Sequence, residues 1–331
     1  MTPDELRASP GLYPQKFDAE KGAVYFTGVS EAGYREASFL DERLQGSNSV
    51  WVPFADAEQS MAAAAARLPL HFIFHTGHVG STLLSRLVDE AGGVLGLREP
   101  LPLRTLAEMQ DCGDKAVPRI LATFLKLWGR GFVGNRTVVL KATSSGGRLA
   151  PALLAASPKS KAVYLNLKPE PYLATLLAGA NAMVDLKGFE GERTGRIAAM
   201  LGAAPRPPGS IGELAAMSWL AESLSRAMAL DAAGARMLAL DFDAMLADVG
   251  ATVLRVLAHF DIAAPPGFAS AIARSPVLTR YSKAPQQFAY SPNMRAQLLA
   301  QARAEFGGEI VKGMRYLEQA AARDATVAAL L

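Results

Sequence analysis

Apolar and polar residues change period several times along this chain, and each change predicts an element. Phe72-Ile-Phe74 is a short apolar run of the length expected for a buried strand. The chain then turns through Gly77 and Gly80, where glycine permits backbone angles that other residues resist. From Ser81 onward Leu83, Leu84, Leu87 and Val88 recur at helical spacing, with Arg86, Asp89 and Glu90 on the other face. Four later runs read as strands: 94–97, 136–141, 161–166 and 235–240. Helical patterns separate them over about 103–128, 149–156 and 249–259, and an amphipathic helix is predicted near 293–320. Residues 142–147 read as a polar, flexible link. Strands alternating with helices in this rhythm argue for parallel βαβ units. The fold class expected is α/β: three layers, α/β/α, around a mainly parallel sheet with right-handed crossovers.

Two stretches depart from that rhythm. Residues 1–60 are rich in Gly, Pro and charge, with β-like runs at Val24–Thr27 and Ser49–Val52. They predict a small β-containing appendage whose Tyr25, Phe39 and Trp51 pack on the main domain, residues 61–331. The run from Met61 to Arg67 is alanine-rich and helical by propensity. A mostly helical insert spans about 170–233, with expected breaks at Lys187–Arg193 and Pro205–Gly209, natural places for a lid.

Strand, glycine turn, hydroxyl pair and helix together make an anion cradle. Successive backbone amides and the positive end of the helix converge on one point. A side chain at Gly80 is expected to take the anion's space. A Walker A loop would place glycine at His75 and lysine at Ser81, so an ordinary nucleoside triphosphatase is a poor match. The segment His78-Val-Gly-Ser-Thr-Leu-Leu84 resembles instead the phosphate loop of the sulfotransferase family. That loop reads a cation, then Ser-Gly-Thr-Thr and an apolar pair. Here Gly80, Ser81, Thr82, Leu83 and Leu84 match, Val79 replaces the small polar residue and His78 replaces the cation.

Two further segments carry the resemblance. Lys161–Thr175 is similar to the family's second phosphate motif, a strand ending in Arg-x-Pro with a serine six residues on. Pro169 and Thr175 fit, Leu167 holds the arginine slot, and Lys168 lies one residue along. Met237–Ile262 is similar to the family's late strand and helix, with Asp241-Phe-Asp243 at the turn. The resemblance implies sulfuryl transfer from 3′-phosphoadenosine 5′-phosphosulfate to a hydroxyl or amine, in a P-loop nucleotide-binding fold with no metal. It implies that Gly77, Val79, Gly80, Ser81 and Thr82 hold the 5′ group, and Lys168, Thr175, Arg280 and Lys283 the 3′-phosphate. It also implies that His78 stabilises the leaving oxygen and that Glu99 takes the acceptor's proton. Lys141 or Arg280 is the alternative cation for that oxygen. The alternatives are a P-loop kinase or hydrolase with Asp241 on magnesium, or a degenerate fold that binds an anion or a partner without turnover.

Composition narrows the rest. Across 331 residues, half hydrophobic and a fifth charged, the formal net charge is only +3. That is far from the clustered basicity of a nucleic-acid binder. The single cysteine, Cys112, excludes an internal disulfide and fits a reducing compartment. His71 and His75 flank the first strand without an acidic or cysteine partner nearby, which gives a metal site little support. No apolar leader precedes Asp4 and Glu5, and no uncharged run reaches membrane-spanning length, so a cytoplasmic protein is expected. The acceptor and the oligomeric state have no signature.

Overall fold

The computed structural model describes residues 2–62, 64, 68–179, 182–280 and 291–331. Five strands form one wholly parallel sheet: β4 (Leu70–His75), β5 (Val94–Arg98), β6 (Thr137–Lys141), β7 (Ala162–Asn166) and β8 (Met237–Asp241). Their order is β5-β6-β4-β7-β8, with β4 at the centre paired to β6 on one side and β7 on the other. All five expected strands are present within a residue or two. From β4 the chain skips to the edge strand β5, returns to β6 between them and then crosses to β7, so the order reverses next to β4. In open parallel sheets a crevice forms at the carboxyl ends of the strands at such a reversal.

Every residue of β4 is buried, as both faces of a parallel sheet require. Phe72 and Phe74 point to one side with Leu97, Leu140 and Tyr164. Ile73 points to the other with Val139, Val163 and Leu165, against Leu83, Leu84, Leu87 and Val88 of the helix Ser81–Asp89. The sheet thus has helices on both faces. Among the described residues no helix is long and apolar enough to cross a membrane.

His71 has a buried structural place in β4. Its ring stacks on Phe260 at 4.9 Å, and its Nδ1 accepts the Lys161 N–H at 3.1 Å. Burial lowers its pKa from 6.5 to about 4. The unfolded chain therefore takes the proton first. The stabilisation is present above about pH 6.5 and is lost as pH falls toward 4, on the order of 3 kcal/mol at most. Chemical denaturation across that window should show stability falling with acid, with a shallower slope in His71→Gln. Equal slopes would assign the acid sensitivity to other groups.

Several segments differ from their sequence reading. The stretch 103–128 is two helices, Pro102–Asp111 and Val117–Trp128, separated where Gly113 takes a φ of +72°. The link after β6 is a largely buried 3₁₀ turn, Ser144–Leu149. Gly147 allows it, because a Cβ there would stand 2.3 Å from the Tyr164 hydroxyl. Near Lys187–Arg193 the chain stays helical on both sides of Phe189, in Ala182–Gly188 and Glu190–Leu201. Arg193 is the reason, since it turns back to bond the Asp185 carboxylate. The Pro205–Gly209 break is present, before Ser210 caps the helix Ile211–Ala233. Of the alanine run, Met61 and Ala62 end a helix that starts at Phe54, and 63 and 65–67 lie outside the described residues.

The N-terminal stretch forms a three-stranded antiparallel sheet: β1 (Leu12–Asp18), β2 (Ala23–Gly28) and β3 (Ser47–Pro53). Its inner face is Tyr13, Phe17, Val24 and Phe26, in one core with Phe72 and Phe124. Tyr25 and Trp51 instead pack against each other, ring centroids 5.1 Å apart and tilted by 53°, on the outer face, where Trp51 is 47% exposed. Strand alternation explains it: Phe26 points inward, so its neighbour Tyr25 points out. Buried arginines of the main sheet and its flanking helices stitch this layer down through backbone carbonyls. Arg130 donates to the carbonyls of Leu6, Ser9 and Leu12 at 2.6–2.7 Å, and Arg98 to those of Tyr34 and Ala37 at 3.0 Å. Arg98 also pairs with Asp89 of the Ser81–Asp89 helix.

Candidate anion-binding site

The carboxyl end of β4 leads into Thr76-Gly-His-Val-Gly80 and then into the helix Ser81–Asp89. Three loop residues have left-handed backbone: Gly77 (φ +89°), His78 (φ +56°) and Gly80 (φ +69°). Alternation of this kind turns successive N–H groups inward and makes an anion-binding nest. Gly80 is the N-cap and no described side chain caps the helix, so its first amides are left for a ligand. The Thr76 and Thr82 hydroxyls are buried without a partner among the described residues. Orphaned buried hydroxyls carry a desolvation cost that an oxyanion would relieve.

His75 shapes the loop, a role the sequence did not reveal. Its Nε2 meets the Ala142 carbonyl at 2.9 Å and its Nδ1 the Gly77 amide at 3.1 Å. A carbonyl only accepts and an amide only donates, so the imidazole is neutral with its proton on Nε2. The ring ties the loop to the end of β6 and engages the Gly77 amide itself. Val79 is 1% exposed and belongs to the core, so what it offers an anion is its backbone. His78 is exposed on the outer turn. The reason for glycine at position 80 also differs from expectation. A Cβ there would point at the Phe242 ring, 2.1 Å from Cε2, rather than into the anion's space.

Beside the loop, Glu99 and Lys141 stand at the carboxyl ends of β5 and β6 as an ion pair. The lysine side chain is 1% exposed and the glutamate 17%. Glu99 has a φ of +56°, strained for a non-glycine residue, and its N–H bonds the Lys141 carbonyl at 2.7 Å. Arg98 points the opposite way, into the N-terminal layer, as strand alternation predicts. The N-terminal layer supplies a wall here. The Leu40 N–H bonds the Arg98 carbonyl at 2.7 Å, and the Phe39 ring lies 5.9 Å from Lys141 Nζ with the Arg43 guanidinium stacked on it at 4.1 Å. Phe39 therefore meets the main domain at the site itself.

On the other flank, β7 runs into the helix Pro169–Leu177. Leu167 is fully buried, and its carbonyl accepts from Trp219 Nε1 at 2.9 Å. Lys168 is exposed at the N-cap, and the Thr175 hydroxyl donates to the Pro171 carbonyl at 2.7 Å. The buried Tyr172 reaches toward Gly77 and shares a 3.2 Å hydrogen bond with Ser218, and burial raises its pKa to about 12. Asp241 caps the helix Phe242–Ala247 by accepting the Ala244 N–H at 2.9 Å. Arg280 is exposed after the short turn Pro276–Thr279, and Lys283 lies outside the described residues. Gly77–Thr82, Glu99 and Lys141 are thus gathered at one end of three adjacent strands, with Lys168 after the fourth. Among the described residues no three His, Cys, Asp or Glu are grouped to hold a metal.

Together these features define an α/β protein with a glycine-bent loop and an uncapped helix N-terminus at the carboxyl edge of a parallel sheet. No family model and no curated protein matches the chain. Among solved structures, a sulfotransferase from Alicyclobacillus acidocaldarius aligns with 74% of this chain and 96% of its own, at 14% identity and a TM-score of 0.42. Sulfotransferase STF1 from Mycobacterium tuberculosis aligns with 75% of this chain and 82% of its own, at 16% identity and 0.41. Mouse sulfotransferase SULT7A1, solved with PAP, aligns with 83% and 92%, at 12% identity and 0.41. At such identities and scores the likeness assigns neither activity nor ligand to this chain.

Proposed function

We propose that this protein is a sulfotransferase-like enzyme moving a sulfuryl group from 3′-phosphoadenosine 5′-phosphosulfate to a hydroxyl or amine. The observation that carries the reading is the uncapped helix N-terminus at Gly80 with the orphaned Thr76 and Thr82 hydroxyls beside it. The loop amides and the hydroxyls of Ser81 and Thr82 hold the 5′ group. Lys168, Thr175, Arg280 and Lys283 serve the 3′-phosphate. That side of the site is the less complete, because Leu167 is apolar and buried where the family motif has arginine. The bound nucleotide supplies the transferable group. His78 stabilises charge on the leaving oxygen, as a positioned donor does. Glu99 accepts the proton of the incoming nucleophile from its place at the carboxyl end of β5, beside Lys141.

A kinase or hydrolase using Asp241 for magnesium is less well supported, since one Asp241 oxygen already caps a helix. Calorimetry with 3′-phosphoadenosine 5′-phosphate in the absence of metal, against magnesium-ATP, separates the readings. Metal-independent binding of the bisphosphate is expected. Binding of magnesium-ATP alone would transfer the site to phosphoryl chemistry, and binding of neither would leave a fold without a nucleotide donor.

A further inference from the structure

The antiparallel sheet of the N-terminal layer ends in an open strand. β3 is its edge, paired with β2 on one side and with no described strand on the other. Six of its seven residues are exposed, and Val52 is half-buried. Soluble proteins commonly protect such edges with charge. Here there is none, since Leu44 to Ala55 is an uncharged run of twelve residues.

Apolar side chains occupy both faces of β3. Val50 and Val52 stand opposite Phe26 and Val24 in the register, on the face that enters the core. Phe26 and Val24 are fully buried, yet Val50 is 40% exposed, so the core runs out beneath β3. A groove of about 600 Å³ opens beside Val52, between the helices Pro3–Ala8 and Phe54–Ala62. Trp51 stands exposed on the opposite face. The backbone is set for one more strand. The Phe54 N–H bonds the Gly22 carbonyl at 2.7 Å, and Pro53 stands opposite Ala23. Backbone groups alternate in direction along an antiparallel strand, so those of Val50 and Val52 face β2 and those of Trp51 face the open edge. The usable edge is short. An irregularity at Asn48, whose φ is +48°, ends it on one side, and Pro53, which has no N–H, on the other. Trp51 is the midpoint of what lies between.

We infer that β3 pairs antiparallel with β3 of a second copy of this chain, about a two-fold axis at Trp51, to make a dimer with one six-stranded sheet. The Trp51 N–H of each copy donates to the Trp51 carbonyl of the other. Val50 of one copy lies opposite Val52 of the other, at the mouth of the groove, and the two Trp51 rings meet on the outer face. A two-fold contact requires a surface that complements itself. This one does: apolar residues meet apolar residues on each face, and the strand carries no charge to oppose its copy. A charged partner segment would find nothing on the strand to pair with. The contact is small, so association at roughly 10–100 µM chain is expected.

Sedimentation equilibrium of the full chain from about 1 to 300 µM, with tryptophan fluorescence over the same range, tests it. Trp128 and Trp219 are buried, so Trp51 is the one exposed indole of the three. A monomer–dimer equilibrium is expected, with emission moving to shorter wavelength as the dimer fills. Trp51→Lys should weaken association by about tenfold or more without lowering the melting temperature, and Trp51→Tyr should keep it within about threefold. The inference is overturned if the chain is monomeric throughout, which would leave the edge to a different partner. It is equally overturned by a dimer whose emission does not shift or that Trp51→Lys leaves intact, and by association that continues past the dimer.

Discussion

Gly80→Ala is expected to lower stability by about 2–5 kcal/mol and to weaken nucleotide binding by about tenfold or more. Two strains add. The native φ of +69° is left-handed, which costs a residue with a Cβ about 1–2 kcal/mol. The added Cβ would also stand 2.1, 2.7 and 2.8 Å from three carbons of the Phe242 ring. That ring cannot simply swing away. It is 6% exposed, and the Arg295 guanidinium lies over its face at 4.6 Å, itself paired with Asp243. Overpacking of this kind costs about 1–3 kcal/mol. Displacing Gly80 moves the first amides of the helix and with them the anion's donors. Urea denaturation of Gly80→Ala, Phe242→Ala and the double variant isolates the contact. The clash predicts that the double variant loses less than the sum of the single losses, by about 1–3 kcal/mol. Strict additivity would mean that backbone conformation alone demands the glycine.

Glu99→Gln should reduce turnover by about 10²–10⁴-fold, the usual contribution of a positioned general base. It should also destabilise the fold, because Lys141 is almost wholly buried and would lose its counter-charge. Breaking a buried pair from one side costs about 3–5 kcal/mol, and less here because Glu99 is partly exposed. A loss of turnover alone therefore proves little, since a damaged fold gives the same result. Adding Lys141→Met removes the buried charge and should restore most of the stability, as paired replacement of buried ions often does. Under the general-base reading turnover stays low in the double variant, with bisphosphate affinity close to wild type. A double variant that regains turnover would reduce Glu99 to the counter-ion of Lys141. Persistent loss of nucleotide affinity would instead make Lys141 an anion-binding group.

Much of the scaffold was legible because local chemistry dictates it. Phe72-Ile-Phe74 must be buried on both faces, the leucines after Ser81 make one helical stripe, and glycines at 77 and 80 mark backbone that other residues resist. Those three facts alone locate the cradle. Strand β1 escaped notice because Pro14 and a bulge beside it interrupt the alternation by which a strand is read. The helicity around Phe189 was hidden for a related reason. Gly188 and Gly191 read as a break, and the ion pair that overrides them joins Asp185 to Arg193, eight residues apart.

The sequence by itself determined the sheet and the position of the loop. These depend on periodicity and on backbone freedom, which are properties of neighbouring residues. Tertiary structure alone decided which groups stand around that loop. His75 engages the Gly77 amide because β6 brings the Ala142 carbonyl to its other nitrogen. Glu99 meets Lys141 because β5 and β6 end in register, and Phe39 covers them because Arg98 anchors the preceding turn. Gly80 is required by Phe242, 162 residues later. Such contacts join residues far apart in the chain, and no local period records them.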